Sequence, residues 1–335
     1  MRGRPRGRGQ LVARALRGSW RTSPPPPELS TVELESIAPL LIRTGSAGLA
    51  WRVIRQDRQL ADSRSGQRLW AAWLLEVGRE TAQRQHLLAV LKRTSSAGLD
   101  PVLIKGWSVA RRYPGPGLRP SCDVDLCLPP AQVARARRLV GDMAVAVDLD
   151  HHHELEGTPI DGLFDRSVVV ELAGQPVRVP APSDELRMLC LHFLKHGGWR
   201  PLWLCDIALI CEQSPEVAAL AASGVDRVGE YVSATIGSAR RLLDADCAID
   251  PPPPEWMVST IQREWGSWAT SHARGPLAPV WPLGRFVNDL PGRVPNAVAA
   301  TVATGAPVAR LPRALVQMVA LAESRRSHVG DDDDS

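Results

Sequence analysis

No apolar run in this sequence approaches the roughly 20 residues a helix needs to cross a bilayer, so no membrane span is expected. The six cysteines, 122, 127, 190, 205, 211 and 247, contain no Cys-x-x-Cys pair, and no signal-peptide pattern is present. Reduced thiols in a cytoplasmic protein are therefore expected. Phenylalanine and tyrosine are scarce, at 3 and 2 residues, against 11 tryptophans. Acid is missing from the first 21 residues, which carry Arg2, Arg4, Arg6, Arg8, Arg14, Arg17 and Arg21. At the other end stand Asp331 to Asp334. The formal charge of +4 thus reflects two opposed tails and gives no argument for nucleic-acid binding by the folded body.

The 335 residues, 44% hydrophobic, suffice for one large or two modest domains. Residues 1–30 are Arg- and Pro-rich and read as a disordered arm. Residues 31–100 read as a helical region. Leu34, Ile37, Leu40 and Leu41, then Leu69, Trp70, Trp73, Leu74 and Val77, then Leu87, Val90 and Leu91, recur at helical spacing and read as core. Residues 183–326 read as a helical C-terminal region, interrupted at Pro251–Pro254 and Pro291–Pro295. Residues 327–335 form a polar, acidic tail.

Between the helical regions lies the stretch that carries chemistry. Val102 to Ile104 is a short apolar strand, and Gly106 turns the chain where backbone N–H groups can approach a phosphate. Ser108 opens a helix and could add a hydroxyl. A Pro/Gly loop returns to Asp123-Val-Asp-Leu-Cys-Leu128. Alternation puts Val124, Leu126 and Leu128 on one strand face and Asp123 with Asp125 on the other. Two like charges on one face repel unless something positive joins them, and a divalent metal is the usual cause. Val145, Val147 and Leu149 form a second amphipathic strand with Asp148 on the face opposite the apolar one.

The run Leu-Ile-Lys105-Gly106 followed by Leu-Arg119-Pro-Ser-Cys-Asp123-Val-Asp125-Leu resembles the bacterial uncharacterised nucleotidyltransferases of the polymerase-β-type superfamily. Residues 189–210, with His192, His196, Trp203 and Asp206, resemble a further motif of that family. The resemblance covers roughly residues 35–215. It implies an α+β fold: a small mixed β-sheet nucleotidyltransferase core over residues 101–182, flanked by N-terminal helices and a helical C-terminal region. It implies a magnesium-dependent enzyme that moves an NMP from an NTP such as ATP onto a hydroxyl and releases pyrophosphate. Two Mg²⁺ ions about 3.5–4 Å apart would be held by Asp123, Asp125 and, as third carboxylate, Asp148. Glu171 is the alternative third carboxylate, although a structural hairpin explains it. Lys105, Gly106, Ser108 and Arg119 are expected at the nucleotide. For Lys105 the alternative is a surface role, and for Arg119 it is anchoring a loop to a carboxylate. His192 and His196, four apart on one helix face, are expected at the acceptor side, with Asp206 orienting a histidine.

Two departures from the family pattern stand out. Trp107 replaces the small residue that usually follows the glycine, and Asp123 lies 17 residues beyond Gly106. Trp107 keeps open a catalytically inactive nucleotide- or partner-binding protein on the same fold. His151, His152, His153 and Glu154 read as a polar loop at the mouth of the cleft rather than a zinc site. The acceptor stays open between a small molecule, a peptide or protein side chain, and an RNA end.

Overall fold

Val102–Ile104 (β1) is apolar throughout and fully buried, so it can serve only as an inner strand. It pairs antiparallel with Asp123–Cys127 (β2), with Ile104 opposite Asp125. In this computed structural model, which describes residues 7–121, 123–143, 146–150, 160–223, 227–247 and 252–267, the sheet has five strands. The others are Ala146–Asp150 (β3), Val168–Leu172 (β4) and Gln175–Val179 (β5), in the order β3-β2-β1-β5-β4. β3 runs parallel to β2, and β5 runs parallel to β1 and antiparallel to β4. The sheet is mixed and the fold is α+β.

The alternation read from the sequence sets the two faces. Leu103, Val124, Leu126 and Leu128 join one cluster together with Leu87, Val90 and Leu91 of Arg64–Ser96 (α5) and Ala136 and Val140 of Pro130–Val140 (α7). Val102, Ile104 and Cys127 point the other way, against Leu163 of Ile160–Arg166 (α8) and Met188 of Pro182–Lys195 (α9). Asp123 and Asp125 share this second face, beyond the end of its apolar packing.

Four helices precede the sheet before α5: Arg8–Leu16 (α1), Thr31–Arg43 (α2), Ala47–Ile54 (α3) and Arg58–Asp62 (α4). Ser30 and Glu33 start α2 with a reciprocal capping box, the Ser30 hydroxyl accepting from the Glu33 N–H at 3.2 Å. After the sheet come α9, Pro201–Gln213 (α10), Glu216–Ala221 (α11), Arg227–Leu243 (α12) and Glu255–Trp265 (α13). α1 to α3 do not sit beside the sheet. They share one core with α9 to α13, and α5, 33 residues long, joins that core through Leu69 and the sheet through Leu87. The stripe on α5 is only partly core, since Trp70 and Leu74 are exposed.

The arm expected to be disordered is not so from residue 7 onward. Leu11, Val12, Ala15 and Leu16 form a buried stripe on α1, and Trp20 is 2% exposed. The apolar residues are spaced for a helix but lie among arginines, which dominate the composition. Those arginines are neutralised by distant acids: Arg14 by Glu28 and Glu33, and Arg21 by Glu212. Glu212 of α10 accepts from Trp20 Nε1 at 2.9 Å, from Arg21 Nη2 at 2.7 Å and from the Asp246 N–H at 3.0 Å.

Burial would raise the Glu212 carboxyl, but the bonds from Arg21, the Asp246 N–H and Trp20 outweigh it and hold it below its ordinary value. A depressed carboxylate pKa adds stability that is complete above the ordinary carboxylate range and is lost as pH falls toward the folded value. Glu212→Ala is expected to cost about 1.5–3 kcal/mol at neutral pH, the loss of hydrogen bonds to a charged group. In thermal melts the gap between variant and wild type should close as the buffer is acidified. A gap that persists unchanged at low pH would show that the carboxylate charge is not what holds α1.

Candidate active site

The strand pairing brings the carboxylates together. In the parallel β2–β3 pair Asp125 stands opposite Asp148, and Asp123 is two residues back on the same face. One oxygen from each of Asp123, Asp125 and Asp148 can be chosen so that all three lie within 4.8 Å of one another. Asp125 is buried, Asp123 half-buried and Asp148 exposed. Glu171 cannot join them, because β4 is the opposite edge strand of the sheet. Asp148 is thus the carboxylate that geometry places as third.

The donor set is three hard oxygens converging on one point, which suits a small hard dication and not a soft metal. Such oxygens spaced a few ångströms apart can share an octahedral shell with water and phosphate. The described residues of the chain therefore fit a hard divalent cation.

Lys105 approaches the same point, with Nζ 3.6 Å from Asp125 Oδ1. Its backbone is unusual: φ is 52° at Lys105 and 33° at Gly106. A non-glycine residue with positive φ costs about 1–3 kcal/mol and persists only where the surroundings impose it. Here the turn from β1 into the short helix Gly106–Ala110 (α6) imposes it. A β-carbon on Gly106 would lie 3.2 Å from Ser121 Oγ, so the glycine lets the two segments close on each other.

Ser108 lies elsewhere than expected. Its hydroxyl is fully buried and donates to Glu185 Oε1 of α9, whose Oε2 accepts from Arg112 Nε at 2.9 Å. α6 is so short that its third residue already faces inward toward α9. Burial pushes the Glu185 carboxyl up, while Arg112 and Ser108 pull it down. The hydroxyl at the cleft belongs to Ser121 instead, whose Oγ donates to the Asp123 carbonyl at 3.2 Å and lies 3.4 Å from Asp123 Oδ1. Ser108→Ala is expected to cost about 1–3 kcal/mol of stability, the price of an under-satisfied buried carboxylate. Calorimetric nucleotide binding should not change; a tenfold loss of binding without destabilisation would return Ser108 to the ligand.

Arg119 fulfils its anchoring alternative and also reaches the site. Its Nε donates to Asp206 Oδ2 at 3.1 Å, and the residue lines the cleft with Asp125. Burial alone would lower its guanidinium; Asp206 in first place, then Tyr113 and Asp125, raise it above its ordinary value. Asp206 does not orient a histidine. It is fully buried and accepts from Tyr113 Oη at 2.8 Å and from Arg119. Burial pushes its carboxyl up against the pull of Arg119 and Tyr113. The sequence reading missed Tyr113 because the side chain projects from a Pro/Gly loop with no periodicity to mark it.

The cleft over the triad has a volume of about 560 Å³. Its acidic floor faces a wall from the end of α9 and the start of α10. His192 and His196 lie with ring centroids 4.5 Å apart, and His192 meets Trp203 edge-on at 4.5 Å. Arg200 Cζ stands 5.5 Å from the Trp203 ring centre, and Arg79 of α5 closes another side. Arg200, Arg79 and Ser121 line the cleft and were not singled out by sequence reasoning; Trp203 was named there only as part of the 189–210 motif. Arg135, Arg137 and Arg138 are exposed on α7, away from the cleft. His151 to Glu154 lie outside the described residues.

The profile of the family described as "Uncharacterised nucleotidyltransferase" matches residues 30–157 and 144–224, more than half of the chain. No curated protein matches. Among solved structures, an antigenic nucleotidyltransferase-like protein from Paracoccidioides brasiliensis is similar at 15% identity and a TM-score of 0.37, over 51% of this chain and 94% of that one. The family match spans both the Asp123–Asp125 strand and the helices carrying His192, His196 and Asp206, and on that match the chain belongs to the uncharacterised nucleotidyltransferase family.

Proposed function

We propose that the protein is a magnesium-dependent nucleotidyltransferase that moves an NMP from an NTP onto an acceptor hydroxyl and releases pyrophosphate. The observation that carries this reading is the convergence of Asp123, Asp125 and Asp148 under a cleft whose other walls present Lys105, Arg79, Arg119 and Arg200. Carboxylates would hold a dication and cations would hold a triphosphate, side by side in one chamber.

Asp123, Asp125 and Asp148 are the residues that would hold Mg²⁺. When bound, it would neutralise charge on the triphosphate and lower the pKa of a coordinated oxygen. The remaining work is positioning, as in phosphoryl transfer generally. Lys105, close to Asp125, would orient the phosphates, and Gly106 permits their close approach. Arg119, locked by Asp206, would stabilise charge on the phosphoryl oxygens. The acceptor oxygen would attack the α-phosphorus while the bond from that phosphorus to the pyrophosphate oxygen breaks. Asp148, the most exposed of the three, would take the acceptor's proton. The aromatic wall of His192, His196 and Trp203 would border the acceptor.

The inactive alternative rested on Trp107, which lines an adjoining slot rather than this cleft. The described cysteines are free thiols, which supports a reducing compartment such as the cytoplasm, and among the described residues no helix is long and apolar enough to cross a membrane.

The test is calorimetric titration of each of the four NTPs with and without Mg²⁺. Magnesium-dependent binding of one of them is expected and would name the donor. No binding of any NTP in magnesium would remove the donor half of the proposal.

A further inference from the structure

Trp107 departs from the family pattern, and the triad cleft makes no use of it. It lines instead a second, narrow cavity of about 40 Å³ beside the triad. The apolar walls of this slot are Leu87 of α5, Leu103 of β1, Trp107 and Ala110 of α6, and Val124 of β2. It meets the triad cleft at Gln83, Gly106, Arg119, Ser121, Asp123 and Asp125, which line both. Its remaining polar lining is Glu80 and Arg84, both from α5.

We propose that this slot receives a small aliphatic group of the acceptor, so that the acceptor is an alcohol whose hydroxyl neighbours a short or branched apolar substituent. The inference rests on the nucleotidyltransferase reading and adds the substrate class to it. Size carries the first part of the argument. A water needs about 10–15 Å³ of such space, so the slot holds roughly three or four heavy atoms. An isopropyl or isobutyl group fits that space. Chemistry carries the second part. Each buried methylene is worth about a fourfold gain in affinity, which the five apolar walls offer to carbon seated among them. Position carries the third. A group seated between Trp107 and Leu103 leaves the slot at Asp123, so an attached hydroxyl arrives at the carboxylates. Gln83 and Arg84 can bond the polar remainder of the molecule.

The probe is isobutanol, with glycerol as its polar counterpart, titrated into ¹⁵N-labelled protein. The readout is the Trp107 indole N–H, assigned by its disappearance in Trp107→Phe. Isobutanol is expected to shift this resonance saturably, with a half-saturation about tenfold lower than that of glycerol. Ala110→Leu fills the slot and should abolish the shift. Ala110 does not line the triad cleft, so Mg–NTP binding reports whether the variant is folded. A non-saturating drift, an equal response to glycerol, or an undiminished shift in folded Ala110→Leu would overturn the proposal.

If Ala110→Leu fails to fold, Trp107→Ala decides. The widened slot, read on the Leu87 methyl resonances, should then prefer hexanol to isobutanol, and an unchanged preference would overturn the proposal. Isobutanol binding at Trp107 in a protein that binds no Mg–NTP would uphold the slot and sink the donor reading, so the two fail separately.

Discussion

Replacing Asp123 and Asp125 together by alanine is expected to abolish magnesium-dependent NTP binding and to lower transfer at least a thousandfold. The carboxylates converge within 4.8 Å with Asp148, and no other described acid completes such a set. Metal-borne charge neutralisation is worth several kilocalories per mole in phosphoryl chemistry, and each 1.36 kcal/mol is about a factor of ten in rate. In the metal-free protein the change removes mutual repulsion among like charges and also removes the Asp125 partner of Lys105, two effects of opposite sign. Melting in EDTA should therefore give a midpoint for the double variant close to that of wild type. In magnesium with NTP at ten times its dissociation constant, wild type should gain about 1.4 kcal/mol and the variant nothing. The pair of results separates a lost site from a lost fold. Transfer that survives both substitutions would sink the proposed mechanism.

Much of this site was legible in the sequence because strands alternate. Once Val124, Leu126 and Leu128 are assigned to a core face, Asp123 and Asp125 have only one other face to occupy, and a parallel neighbour of like pattern brings Asp148 beside them. Glu171 obeys the same alternation, and only the strand order separates it from the triad. Periodicity says which face a side chain takes but not which strand lies next to it.

Side chains beyond the strands were less legible. Ser108 and Ser121 are both hydroxyls near the glycine turn, and the choice between them depends on the length of α6, which composition does not encode. The arginine-rich start was misread for a related reason. Charge dominates its composition, yet Leu11, Val12, Ala15 and Leu16 share one helix face and find a core made of residues two hundred positions away. Long-range partners such as Glu212 decide whether a basic segment is a tail or a helix, and they are invisible to any local window.

The buried group Arg119, Asp206 and Tyr113 should yield the largest stability effect of any single substitution considered. Asp206 has no exposed surface and Arg119 is 9% exposed, so removing Asp206 leaves the Arg119 charge largely buried without its partner. Breaking such a pair costs about 3–5 kcal/mol, mostly from the uncompensated charge left behind. Asp206→Ala should thus lower the melting midpoint by on the order of 10 °C. It should also weaken Mg–NTP binding, because Arg119 would no longer be held beside Asp125.

A double replacement distinguishes the two consequences. Swapping both charges for apolar residues, Arg119→Met with Asp206→Leu, removes the desolvation penalty and should recover part of the stability, less the cost of the Tyr113 hydroxyl left without its acceptor. Nucleotide binding should stay weak, because the cation at the cleft is gone. A double variant that regains both stability and binding would reduce Arg119 to an anchor of the 113–120 loop. An Asp206→Ala variant that melts within a degree or two of wild type would mean that water reaches the pair.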